Sequence, residues 1–354
     1  MLIEAESLVT WASKVLENLG LPAEDAAVVA ENLAFSDLRG VSSHGFIRLE
    51  TYATRIRAGG INPRPDISIA RDQGALVILD AGNGAGAATG SKATDLAIER
   101  AAKFGIGAVI TRRSNHFGAA AFFTSRMADH GYVGFAACNT DKVMCGPFGG
   151  KAVLGTNPIA VALPVDSEVR PQLDMATSEA SYGKLLVAAR DGKPIPHGWA
   201  VDSQGNPTSS PDEGIAGALL PSGGPKGFGL AFIVDALVAL AGAATSPEVG
   251  ELYGDPSCPQ QLGHLFIAIS AGSTDDAATY RESIQQFVAK VHKSALEHAP
   301  SPVLFPGEPE LNRQKCSNGL IEVAGPLAQS LESVADLTHV PLPELIDNTE
   351  KGKK

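Results

Sequence analysis

The chain has 354 residues, of which 44% are hydrophobic, 19% charged and 6% aromatic, enough for two domains or one large domain with an appendage. A net charge of -11 argues against a nucleic-acid partner, whose phosphates need a basic surface. No apolar run reaches the roughly 18 residues of a bilayer-crossing helix, so no membrane partner is expected.

The first residues, Met1–Glu6, are acidic and lack a basic region, so they read as no signal peptide. Cys138, Cys145, Cys258 and Cys316 form no CxxC pair, which fits reduced thiols in the cytoplasm. The histidines show no ligand cluster at zinc spacing, and no metal is expected.

Residues 7–60 read as helical. Leu8, Trp11, Val15, Leu16 and Leu19 recur at helical spacing behind Ser7 as a cap, and Gly20 stops the run. A second helix starts at Pro22, and a third follows His44, carries Ile47, Leu49, Tyr52 and Ile56, and ends at Gly59-Gly60. Between them stands Ser42-Ser43-His44-Gly45-Phe46-Ile47-Arg48. Ser43 is a good N-cap for a helix starting near Gly45, and a helix N-terminus favours an anion. Arg48 lies one turn after His44 on the same face, so an imidazole, a guanidinium and open N–H groups would meet at one spot suited to a small carboxylate. A capped helix with a surface histidine and a solvated arginine explains the stretch equally well.

Asn62-Pro63-Arg64-Pro65 breaks the pattern as a linker. Residues 66–71 and 75–80 read as paired strands, followed by the glycine-rich 82–90 turn, a helix through Ala102 and a strand over 106–111. This segment resembles a dinucleotide fingerprint, but the third glycine is missing in either register and no strand with a terminal acid follows. Close packing of a helix on a sheet explains the glycines as well.

His116 follows the 106–111 strand, at a strand-to-helix turn before a helix over 119–130. Strands follow over 132–137 and 159–163, and Asp174 closes another, either as a site acid or as the cap of a helix from about Ser181. Residues 191–211 read as polar and exposed. Lys226 stands at a glycine-flanked helix start, placed for an anion although the phosphate-loop spacing is absent. A strand over 264–270, an amphipathic helix within 273–298, a rigid loop over 304–310 and terminal helices over 327–337 and 342–345 complete the chain, and Thr349–Lys354 reads as a frayed end.

Ser43-His44-Gly45 with Arg48, Ser114-Asn115-His116-Phe117-Gly118, Gly155-Thr156-Asn157-Pro158, Asp174-Met175-Ala176-Thr177-Ser178, Lys226-Gly227 and Pro306-Gly307-Glu308 occur in this order. Together they make the chain resemble the type 2 malate/L-lactate dehydrogenase family from about residue 5 to about residue 340. The resemblance implies an α/β fold without a Rossmann domain. A large mixed, mainly antiparallel sheet carries helices over residues 66–310, and residues 1–65 and 311–354 form a small helical domain. It implies a homodimer with sites near the subunit interface. It also implies a nicotinamide cofactor and a small carboxylate substrate; no basic residue is evidently placed for a 2′-phosphate, so NAD is expected, with NADP the alternative.

Carried over by position, His116 matches the proton acceptor, and His44 and Arg48 match the substrate pocket. Thr140, Asp174, Met175, Ala176, Lys226, Gly307 and Glu308 match cofactor contacts. Thr140 departs from the expected Ser or Asn but keeps a hydroxyl. Asn115 stands where cyclic-imine reductases of the family tend to carry a second histidine, which favours a 2-hydroxy acid over an imine. The function expected is hydride transfer between a malate-like 2-hydroxy acid and the nicotinamide, with reduction of cyclic imino acids or diketo acids as the alternative.

Overall fold

Seven strands form the main sheet in the order Ser68–Asp72, Leu76–Asp80, Ile106–Ser114, Leu262–Ser270, Tyr132–Cys138, Ile159–Ala162 and Gln172–Met175. This architecture comes from a computed structural model that describes residues 1–272, 276–296 and 301–346. Only Leu76–Asp80 and Ile106–Ser114 run parallel; the other neighbours are antiparallel. The sheet is therefore mixed and mainly antiparallel, as the family resemblance implies. The parallel pair follows from the helix Gly86–Phe104, which carries the chain back across one face before it re-enters the sheet.

That helix explains the glycines of the 82–90 turn. A Cβ at Gly86 would fall 2.0 Å from the Asn115 carbonyl oxygen, and one at Gly90 would fall 2.7 Å from the Phe123 ring. Asp80, the acid at the end of the strand, takes the Gly82 amide and ion pairs with Arg112 and Arg113. The glycines let the helix lie directly on the sheet, and the acid is committed to holding the turn.

Helices Ala5–Asn18, Ala23–Leu38 and Leu49–Ala58 pack with Gly325–Thr338 from the other end of the chain. Leu2–Glu4 pairs antiparallel with Leu320–Glu322. Leu8, Val15, Leu16 and Leu33 share one buried cluster with Val77, Phe123 and Phe266 of the sheet layer. Each such side chain contributes about 1.5–3 kcal/mol by leaving water.

A five-stranded sheet takes in Met144–Gly146, Gly149–Leu154, Ala200–Val201, Pro207–Thr208 and Ala218–Leu219. The 191–211 segment is therefore not exposed throughout: Ile195, Ala200 and Val201 are buried against this sheet. Two other expectations change. Residues 342–345 form no helix, and Ile346 instead bridges to Leu2. The 304–310 loop gives way at Glu308 to a helix, Glu308–Ser317. The amphipathic segment is helical over Ala277–Lys293; Ser273, His298 and Thr349–Lys354 lie outside the described residues.

Candidate active site

The stretch 42–48 is not the start of one helix. Ser42–His44 and Phe46–Arg48 are two short 3-10 turns broken at Gly45, and the second runs into Leu49–Ala58. Ser43 caps nothing. The open amide of Phe46 donates to the Asp37 carboxylate at 2.8 Å, and a Cβ at Gly45 would fall 2.0 Å from the same carboxylate. Burial pushes the Asp37 carboxyl up to about 7, against the Phe46 amide that holds it down.

The broken turn points His44 at His116. Their rings stack with centroids 5.5 Å apart and planes 23° from parallel. Nδ1 of His44 lies 2.9 Å from the Ser43 hydroxyl. Nδ1 of His116 lies 2.7 Å from the Tyr52 hydroxyl, and the His116 backbone N–H donates to Oε1 of Gln260 at 2.9 Å. The Gly118 amide reaches the same Nδ1 at 3.4 Å, too long to fix the tautomer. Burial lowers both imidazoles: His44, with Arg48 nearby, falls to about 4, and His116 lies well below 6.5, pushed further by His44 and Arg48. At neutral pH this is a pair of neutral imidazoles.

Arg48 is buried, with Nε donating to the Ser43 carbonyl at 2.6 Å. Its terminal nitrogens make no hydrogen bond or ion pair among the described residues, and burial lowers its pKa. A buried guanidinium without a counter-ion is costly unless an anion binds beside it.

A cavity of about 560 Å³ opens beside these groups and is lined by His44, His116, Thr140, Asp174, Met175, Ala176 and Gly307, among others. That volume lies within the usual range for small-ligand sites. Asp174 lies next to last in the edge strand, but the helix it caps is Ala120–Asp129, through the Ala121 amide at 2.8 Å, not the one after Ser181. Burial pushes its carboxyl up to about 6, partly offset by that amide. Thr140 and Thr156 bring their hydroxyls to 3.5 Å of each other. A Cβ at Gly155 would fall 2.2 Å from the Thr140 hydroxyl, so the glycine permits that approach.

Three expected site residues do not line this cavity. Arg48 adjoins the wall through Ser43, to whose carbonyl its Nε donates. Lys226 is exposed at the start of the Pro225–Ala239 helix. There Gly227 packs tightly, since its Cβ would fall 2.3 Å from the Thr177 carbonyl oxygen. Glu308 takes the Phe305 amide at 3.0 Å and faces His292 at 2.9 Å. Asn115 is fully buried, and its amide donates to the carbonyls of Asn83 and Gly84.

Sequence reading missed Asp37, Gln260 and the role of Tyr52. Tyr52 was legible only as an apolar position of its helix, although its spacing of four from Arg48 puts both on one helical face.

Residues 3–332 match the family described as Malate/L-lactate dehydrogenase. The chain is 35% identical to an L-sulfolactate dehydrogenase of Methanocaldococcus jannaschii, covering 98% of this chain and 100% of that one. The solved structure of the sulfolactate dehydrogenase from that organism superposes with a TM-score of 0.88 over 97% of this chain and 98% of that one, at 34% identity. An NAD-dependent ureidoglycolate dehydrogenase of Escherichia coli K12 is 34% identical over 95% of this chain and 96% of its own. A delta1-piperideine-2-carboxylate reductase structure from Pseudomonas syringae has a TM-score of 0.84 at 28% identity, covering 95% of this chain and 99% of that one.

Proposed function

The chain belongs to the malate/L-lactate dehydrogenase family, and from that premise we propose that it oxidises a malate-like 2-hydroxy acid to the 2-oxo acid with NAD. The observation that carries the reading is the buried Arg48 guanidinium, free of any acidic partner among the described residues, beside the stacked neutral pair His44–His116.

The cavity suits a nicotinamide cofactor: it combines the Asp174 carboxyl, two hydroxyls and the glycine-containing 306–307 edge in a space of about 560 Å³. Asp174, Met175, Ala176, Thr140 and Gly307 would hold it there; Lys226 and Glu308, which the family resemblance also assigns to it, do not line the cavity. Bound there, a nicotinamide would supply the hydride acceptor for oxidation at C2 of the substrate.

The chain's own residues do the rest. Arg48 receives the substrate carboxylate on its terminal nitrogens, in the bidentate geometry a guanidinium favours. His116 accepts the hydroxyl proton at Nε2, and Nδ1–H donates to the Tyr52 oxygen as the ring becomes cationic. His44, stacked on that ring, orients the substrate oxygen. In the reverse direction His116 returns the proton to the oxygen at C2.

The likeness to the piperideine-carboxylate reductase supports a second reading, reduction of a cyclic imino acid in the same cavity. Asn115 speaks for the hydroxy acid, since its side chain is consumed by backbone carbonyls and offers no second imidazole.

A homodimer fits the Pro225–Ala239 helix. One face is buried through Gly227, Ala231, Val234 and Val238, yet Leu230, Phe232, Ile233 and Leu240 remain exposed. Such an apolar patch suits a subunit contact. Four free cysteines, and no described helix long and apolar enough to cross a membrane, support a cytoplasmic enzyme.

The test is formation of reduced nicotinamide from both enantiomers of malate, lactate and sulfolactate, and from ureidoglycolate, with NAD and with NADP. One strong substrate fixes reaction and cofactor. Failure across the panel, with oxidation of reduced cofactor by a cyclic imine, replaces the first reading by the second.

A further inference from the structure

The Leu49–Ala58 helix buries a second arginine. Arg55 is 1% exposed and has no acidic partner among the described residues, although Asp141 and Asp255 act on it from a distance. Its Nη1 donates to the backbone carbonyls of Glu251 and Leu252, both at 3.3 Å, and of Asp255 at 3.4 Å. Its Nη2 donates to the Cys258 carbonyl. One side chain thus satisfies four carbonyls of a segment that has no helix or strand of its own. The segment is a closed loop, because the Gly250 amide donates to the Gln260 carbonyl at 2.8 Å. It also lies hard against the helix end, where a Cβ at Gly60 would fall 2.1 Å from the Pro256 carbonyl oxygen.

This loop returns two side chains to the site. The Tyr253 ring centroid lies 5.2 Å from the Arg48 guanidinium carbon, and Gln260 receives the His116 amide. Tyr253 is itself 51% exposed and touches Tyr182 only loosely, with centroids 6.4 Å apart. Its place over Arg48 is therefore set by the loop backbone, and the loop backbone by Arg55.

We propose that Arg55 is a positioning residue for the substrate-carboxylate grip, acting through the 250–260 loop, and that Tyr253 forms the wall that fixes the Arg48 guanidinium plane. The Tyr253 face holds the guanidinium by a cation–π contact, so its terminal nitrogens stay aimed at one carboxylate. The inference rests on Arg48 as the carboxylate ligand.

The experiment uses the full-length enzyme and the best hydroxy acid of the panel, with Arg55→Met, Arg55→Lys, Tyr253→Ala, Tyr253→Phe, the Arg55→Met/Tyr253→Ala pair and Arg48→Lys. Tyr253→Ala and Arg55→Met should each raise KM for the hydroxy acid about 3- to 30-fold, the range of one cation–π contact, and leave KM for NAD unchanged. Tyr253→Phe should behave as wild type, and Arg55→Lys should recover part of the loss. The paired variant should be no worse than Arg55→Met alone, because both changes remove the same contact. Hydrogen exchange over residues 250–260 should quicken in Arg55→Met and not in Tyr253→Ala.

Faster exchange with an unchanged KM would overturn the proposal and leave Arg55 a structural clamp. A wild-type KM in Tyr253→Ala overturns it independently of whether any Arg55 variant folds. An unchanged hydroxy-acid KM in Arg48→Lys would instead sink the reading of Arg48, while hydrogen exchange still reports the clamp.

Discussion

Tyr52 holds Nδ1 of His116 at 2.7 Å across 64 residues of sequence, and Nε2 of the same ring has no hydrogen-bond partner among the described residues. In the proposed mechanism Nε2 is the nitrogen that exchanges a proton with substrate. Burial raises the Tyr52 phenol above its ordinary pKa, so the hydroxyl stays protonated across the working pH range. Replacing Tyr52 with Phe keeps the packing and removes the orienting oxygen. We expect kcat to fall about 10- to 100-fold, short of the full effect of losing a general base, with the dissociation constant for NAD unchanged in a fluorescence titration.

The pH dependence of oxidation should carry a low acid limb. Burial and the neighbouring Arg48 and His44 hold His116 well below 6.5, so the free base needed for oxidation persists into acid. A log kcat/KM profile should stay flat down through pH 6.5 before it falls. A limb centred above that value would assign the base elsewhere.

Asp37 should make stability depend on pH in a direction opposite to a paired carboxylate. Its folded pKa, about 7, lies above the ordinary 3.8, so the folded state holds a proton that the unfolded state releases. That contribution is complete below 3.8 and is lost as pH rises through about 7. His44 runs the other way: with a folded value of about 4 against 6.5, its contribution is present above 6.5 and lost as pH falls through about 4. Asp37→Asn keeps an acceptor for the Phe46 amide and deletes the first slope. Thermal unfolding of both proteins from pH 5 to pH 8 should show the variant gaining on wild type as pH rises.

A buried carboxylate away from the cavity wall braces the residues next to Thr140 and Thr156. Asp235 accepts from Asn139 at 2.9 Å, from Asn157 at 3.1 Å, and from the Ser246 amide and hydroxyl at 3.0 and 2.6 Å. Asn139 and Asn157 directly adjoin Thr140 and Thr156. Asp235→Ala strands these donors in the interior, at about 1–3 kcal/mol each where no water reaches. Denaturant unfolding should show a loss of at least about 3 kcal/mol, together with a higher KM for NAD.

The exposed apolar face of the Pro225–Ala239 helix should control association. A charged side chain at Phe232 or Ile233, which are 57% and 54% exposed, cannot be buried in a subunit contact without a partner. Sedimentation of Phe232→Glu should give a monomer if this face is the interface, and an unchanged dimer moves the interface elsewhere.

The elements and the inventory of chemistry are legible in the local order of residues. Period 3.6 in Leu8, Trp11 and Val15, and the glycine and proline breaks at Gly20, Pro22 and Gly59, located the N-terminal helices to within a few residues. Their apolar spacing is a local property, readable without neighbours. The histidines, Arg48 and Asp174 could be picked out because each stands at a turn or strand end where structure alone makes little use of it.

How those residues are used depends on contacts that form once the chain is folded. The cap of the 42–48 stretch comes from Asp37 on the preceding helix, not from Ser43, because the chain breaks at Gly45. Asp174 caps a helix that begins more than fifty positions earlier in the chain, and the 250–260 loop meets Arg55 from nearly two hundred positions away. The 342–345 segment is apolar enough for a helix, yet Ile346 bridges to the first strand instead. Hydrogen-bond partners and burial are set by which surfaces meet when the sheet closes. Two residues far apart in sequence carry no local mark of that meeting, so the pairing of Tyr52 with His116 exists only once the Leu49–Ala58 helix lies against the end of the Ile106–Ser114 strand.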